Sequence, residues 1–317
     1  GKHNEDGTLD ENWNTAISNE AFRRAIYYGL DFTEYFKRTN ALDPISCENV
    51  CFTARHLVNT SEGRDYIELV KDRTGLKNGD GTKPVRYQPE LAKQYKEQAI
   101  EELTALGVTF PVQIDHYIQS ANQISLDSAL VLKDTFSKCL GDDFVQLNIK
   151  TYVSSFRKEV TQAHRHSFFI NGWGADYGDP QNYLGQQRYG YDNAYYCVTY
   201  NYVNDFTEET PANKDLLDTY KEFTKMVDAA DAITGNMDER YKAFAKAEAF
   251  FIQHALTIPC YYGIGWCLTK IDNDSKMHCQ YGVQNEKMKN WETNSEGYTS
   301  EEKGVAAQVE AFTAAQK

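Results

Sequence analysis

Apolar positions first recur at helical spacing between Asn19 and Leu30, where Phe22, Ala25, Ile26, Gly29 and Leu30 follow a Ser18-Asn19 cap. The pattern predicts a helix with one buried face. From Asp43 to Arg86 the periodicity fades into turn-rich sequence that includes Lys77-Asn78-Gly79-Asp80-Gly81, which reads as surface loops without binding or catalytic residues. It sharpens again at Pro89. A proline at the first helical position, then Leu91, Tyr95, Ala99, Leu103 and Leu106, then Gly107, predict a helix over 89–106. Alternation at Val108, Phe110, Val112, Ile114 and His116 predicts a strand, Ser125 to Leu140 a second helix closed by Gly141, and Phe144 to Tyr152 a second strand. Strand, long helix and strand make a crossover unit, which places the two strands parallel in one sheet. The fold class is therefore α/β.

A short helix over 154–162 leads into His166-Ser167-Phe168-Phe169-Ile170-Asn171, an apolar run that reads as a buried strand. The next stretch, Gly172 to Pro180, is rich in glycine and carries Trp173, Asp176 and Asp179. Loops after the C-terminal ends of sheet strands are where α/β proteins place ligand sites. Asn213 to Ala230 and Met237 to Ala255 read as helices whose stripes, Leu216, Leu217, Tyr220, Phe223, Val227 and Phe244, Ala247, Phe251, Ala255, belong to a core. Leu256 to Tyr262 is extended. The tail from Thr299 to Gln316 reads as a helix capped by Thr299 and Glu302, with Val305, Val309 and Phe312 on one side.

Composition narrows the function. A chain of 317 residues accommodates one large α/β unit or two lobes. Mean hydropathy of -0.64 and the lack of a long uninterrupted apolar run exclude a membrane-spanning helix. A net charge of -13 opposes nucleic-acid binding, which needs a basic face. Seven cysteines without CxxC spacing read as buried or free thiols, with one disulfide left open, and imply no metal or redox centre. The 22 tyrosines suit either a core or a surface that binds amphipathic ligands. The first six residues lack the apolar run of a signal peptide, which is therefore expected to be removed or absent.

Five segments in this order resemble the extracellular solute-binding protein family 5, the oligopeptide- and dipeptide-binding components of bacterial ABC importers. Phe22-Arg23-Arg24-Ala25-Ile26 with Leu30-Asp31 is similar to one family helix, and Tyr87-Gln88-Pro89-Glu90 with Ala92-Lys93 to the start of another. Gly172-Trp173-Gly174-Ala175-Asp176-Tyr177 with Asp179-Pro180 and Tyr183-Leu184 is the most specific landmark. Arg240-Tyr241 with Ala247-Glu248, and then Ile258-Pro259-Cys260-Tyr261-Tyr262, complete the set, with Cys260 where the family has leucine. The resemblance implies a two-lobed type II binding protein, of which this chain is mainly one lobe with a mixed sheet flanked by helices. Residues 1–262 would form the second lobe and 263–317 a segment returning toward a largely absent first lobe, plus a tail. The implied partners are a peptide ligand and the permease subunits of an importer. Membrane attachment would come only through a lipid anchor on the missing N-terminus, and no cofactor is implied.

The resemblance assigns Asp176 to the ligand's α-ammonium group, and a free amine in a closed cleft does need a fixed carboxylate. Trp173 would wall a side-chain pocket, the backbone of Gly172, Trp173 and Gly174 would pair with an extended peptide, and Tyr177 would complete the site. Plainer roles compete: Asp176 capping the turn, Trp173 filling a core. Asp179 is expected to cap a turn and helix. Ile170 stands where some longer-peptide binders carry an arginine for the ligand carboxylate. His164 and His166 could form a metal pair, but with no third ligand nearby a strand edge is the better reading, and the same holds for His116. The competing class is a hydrolase using Asp176 and Asp179 as a carboxylate pair, which no other motif supports. A peptide-signal receptor, or a binder of a nickel chelate or oligosaccharide, would use the same cleft.

Overall fold

A computed structural model describes residues 1–77, 79, 81–263, 291–293, 301 and 304–315. Its contacts divide the chain into two units, Gly1–Trp173 with Gly178–Ile264, and Gly174–Tyr177 with Gly265–Lys317. The first holds nearly all the described structure.

Its centre is helix α2, Glu20–Gly29, which follows α1, Glu11–Ser18. The Asn19 side chain accepts from the Phe22 amide at 2.8 Å and caps α2 as the sequence suggests. The expectation of a single buried face is corrected. Phe22, Ala25 and Ile26 enter one hydrophobic core while Tyr27 enters another, so α2 is buried on opposite sides and joins the two. Gly29 sits at a close approach: a Cβ there would lie 2.5 Å from Leu140 Cδ2 and 3.3 Å from Ala92 Cβ, so the Leu140 side chain would have to shift.

One core belongs to the α/β layer. Helix α5, Pro89–Ala105, is reached after the short α3, Thr33–Phe36, and α4, Tyr66–Thr74; β1, Val112–Gln119, α6, Gln123–Leu140, and β2, Val145–Tyr152, follow. The strands are parallel in register Val112↔Val145 through Gln119↔Tyr152, as the crossover pattern requires. Fully buried Phe22, Phe136 and Phe144 fill the space between sheet and helices. Each contributes about 1.5–3 kcal/mol relative to exposure. On α5, Ala92, Ala99 and Leu103 are buried, whereas the expected Leu106 is exposed beyond the helix end.

The other core is helical. After the short α7, Gln181–Leu184, and α8, Tyr195–Thr199, come α9, Lys214–Asp231, and α10, Met237–Gln253, whose predicted stripes are buried. They pack with α4, and α4 overturns the reading of 43–86 as surface loops: Tyr66, Ile67, Leu69 and Val70 lie in this core, as does Cys51. Arg86 is fully buried as well.

Two further expectations are corrected. Residues 166–171 form no strand. The amides of Ser167 and Phe168 both reach the Asp115 carbonyl, at 2.9 and 3.3 Å, so the segment lies against β1 without a continuing ladder. The short helix predicted over 154–162 is a single wide turn, Arg157–Thr161, closed by Gln162 N to Arg157 O. Leu256 to Tyr262 is non-helical and ends in an antiparallel bridge between Glu48 and Tyr261.

In the second unit, α11 spans Val305–Ala315 with Val309 exposed. The cap residues Thr299 and Glu302, like Cys267 and Cys279, lie outside the described residues. The five described cysteines are free thiols, of which Cys47, Cys51 and Cys197 are buried.

Candidate binding site

A cavity of about 470 Å³ opens within the first unit, walled by side chains from both cores. Its lining is mainly aromatic, with Phe52, Phe169, Trp173, Tyr196, Tyr200 and Tyr220 among the rings. Among the described residues no aspartate or glutamate lines it, although the chain as a whole is acidic. Arg23, one of the predicted landmark residues, does. Its guanidinium donates to the carbonyls of Ile17 at 2.9 Å, Ser18 at 2.8 Å and His254 at 3.4 Å. Burial lowers its pKa to about 10, since the nearby Glu20 offsets the loss of water only in part. Lys2, also in the wall, is neutralised by Asp10 at 2.6 Å and Asp115 at 3.0 Å.

The three histidines singled out in the sequence each face a protein partner. His166 Nδ1 lies 2.7 Å from the Tyr202 hydroxyl, and burial lowers its pKa to about 4, leaving the ring neutral. His164 pairs with Asp205 at 2.7 Å, and His116 Nδ1 lies 3.1 Å from the Phe168 carbonyl, tying 166–171 to β1. Among the described residues no cluster of histidine, cysteine and carboxylate is arranged to hold a metal.

Gly172 and Trp173 line the cavity. Trp173 is half-buried. Its indole N–H donates to Asn182 Oδ1 at 2.9 Å, and its ring meets Tyr195 and Tyr196 at centroid distances of 5.8 and 6.1 Å. A Cβ built on Gly172, or on Gly174, would meet nothing within 4 Å. Gly174, Asp176 and Tyr177 fall to the second unit and are exposed, Tyr177 at 47%. The carboxylate of Asp179 accepts from the Gln181 amide at 2.9 Å, the expected cap, and also from Nε and Nη2 of Arg240 at 2.9 and 3.0 Å. That bidentate pair leaves Asp179 poorly placed to act as a hydrolytic acid or base.

Sequence reasoning missed what holds the cavity wall. Glu248, fully buried on α10, accepts from the amides of Phe52 at 2.6 Å and Thr53 at 2.8 Å, the Thr53 hydroxyl at 2.7 Å and the Tyr66 hydroxyl at 2.9 Å. Burial raises its pKa while these four bonds oppose the rise. The signal was the landmark Ala247-Glu248 itself, a charged residue within an apolar stripe. Phe52, which Glu248 positions, lies in the stretch expected to carry no binding residues and yet lines the cavity.

The sequence profile of the bacterial extracellular solute-binding proteins, family 5 Middle, matches residues 4–195, more than half of the chain. The chain belongs to family 5. Among curated relatives, the oligopeptide-binding protein AliB of Streptococcus pneumoniae is 25% identical over 268 residues, covering 77% of this chain and 38% of AliB. The oligopeptide-binding protein SarA of Streptococcus gordonii is 27% identical over 265 residues, with the same coverage of 77% and 38%. The chain thus spans well under half the length of the curated relatives it matches. A solved structure described as a peptide-binding protein of a peptide ABC transporter superposes with a TM-score of 0.57 at 19% identity, over 83% of this chain and 97% of that one. DppA of Helicobacter pylori in complex with the peptide STSA superposes with a TM-score of 0.55 at 16% identity, over 87% and 44%. At those identities the likeness is one of fold, and it agrees with the α/β reading.

Proposed function

We propose that this chain is the later part of an extracellular peptide-binding protein that delivers its ligand to the permease subunits of an ABC importer. Residues 1–262 make up most of one lobe, and a lipid anchor on a preceding segment holds the protein at the outer face of the membrane. Family membership supports the class. The observation that carries the reading is the pairing, within one wall, of Trp173 with Gly172, beside whose Cα there is open space, in a cavity lined by aromatic rings and, among the described residues, by no carboxylate. An extended peptide needs both elements: main-chain groups it can approach closely, and an apolar recess for a side chain.

In this proposal Gly172, Trp173 and Gly174 offer backbone groups to the ligand, Trp173 walls its side chain, Tyr177 borders it, and Asp176 holds its α-ammonium group. The protein binds and releases its ligand without chemical change, in keeping with the commitment of Asp179 to Arg240. Mass spectrometry of material released from the freshly purified whole protein tests the proposal. Peptides are the expected finding, whereas an oligosaccharide or a metal chelate would overturn it. Because a clamshell site gains affinity by closing both lobes, calorimetry should show strong binding only for the whole protein, and tight binding by this chain alone would refute the assignment to one lobe.

A further inference from the structure

Gln187 lies in the cavity wall and is completely buried. Its Oε1 accepts from Asn201 Nδ2 at 3.3 Å, but its Nε2 is buried with no partner among the described residues. Buried amide donors are paired in nearly all native interiors, so an orphan in a cavity wall marks a place where a bound molecule supplies the acceptor.

The rest of the wall restricts what that molecule is. Aromatic rings favour a large flat group, offering offset and edge contacts. A lysine or arginine side chain would leave water to meet the cation of Arg23 and no carboxylate. An acidic side chain would lose its hydration too, and Arg23 already donates to three backbone carbonyls. Among large uncharged side chains, tyrosine joins an aromatic ring to an oxygen that accepts a hydrogen bond. Resting on the peptide reading above, we infer that the cavity is a pocket for a tyrosine side chain of the ligand, with Gln187 Nε2 donating to its phenolic oxygen.

The test is calorimetry on the whole protein with four alanine pentapeptides whose central residue is Tyr, Phe, Glu or Lys. Tyrosine is expected to bind about fivefold more tightly than phenylalanine, the worth of one net hydrogen bond. Phenylalanine should exceed lysine by about a hundredfold or more. Gln187→Leu keeps the volume and removes the donor, so it should lower affinity for the Tyr peptide to that of the Phe peptide while leaving the latter unchanged. A purely structural role would weaken both alike. If the Leu variant does not fold, Gln187→Met carries the same comparison. Equal affinity for all four peptides would overturn the pocket while peptide binding stands. A Tyr preference that survives loss of the amide would overturn the role of Gln187, and failure of all four to bind would overturn both the pocket and the peptide reading.

Discussion

Two sets of residues from the family-like segments differ sharply in burial. In 172–177 every residue but Ala175 is exposed or half-exposed, and a Cβ on either glycine would meet open space. Asp179, Arg240 and Glu248 are largely or wholly buried and densely bonded. All belong to the segments that resemble the family, yet one set is buried within the scaffold and the other lies mostly at the surface. A motif residue therefore says little about function until its burial and partners are known.

The contrast breaks most readily at Glu248. Replacing it with alanine strands four buried donors and should cost about 4 kcal/mol or more in urea unfolding. A cost below about 1 kcal/mol would place it with the open loop. Next, Arg240→Ala removes a bidentate, mostly buried partner of Asp179 and should cost about 3 kcal/mol in stability. Asp176→Asn should weaken peptide binding by about 3 kcal/mol, with N-terminally acetylated peptides binding the wild type equally weakly. Identical affinities across both proteins and both peptides would remove Asp176 from the site.

A smaller effect comes from pH. The folded pKa of His166 is lowered to about 4 by burial, with His116, His164 and Lys2 adding to the fall and Tyr202 at its Nδ1. A depressed histidine favours folding above its unfolded value near 6.5, and that contribution is lost as pH falls toward 4. Between pH 6.5 and 5 the wild type should lose about 2 kcal/mol that a His166→Gln variant keeps, as read from paired denaturant curves. Parallel curves would mean that the ring is not buried as described. The smallest change is Gly172→Ala, which should move stability by less than about 0.5 kcal/mol because the added methyl meets nothing. It should still cost about 1 kcal/mol in peptide affinity if the ligand backbone approaches there. An affinity equal to wild type would separate Gly172 from the site.

Local signals were enough to mark α2, the β1-α6-β2 crossover, α9 and α10, because the cap at Asn19, Pro89 and the glycines at 107 and 141 act on neighbouring residues alone. The order of the landmarks likewise carried the family. What the sequence left undetermined was set by contacts between distant residues. The segment 43–86 looked like surface because its buried groups are satisfied from elsewhere, Phe52 and Thr53 by a carboxylate 196 and 195 residues away. Residues 166–171 had the composition of a strand, but strand pairing depends on a neighbour's free edge and register, and only two of their amides reach β1. The second buried face of α2, the cavity and the orphan amide of Gln187 have the same origin. Periodicity records which positions shun water, while partnership among buried polar groups is decided only once the chain has folded and brought them within reach of one another.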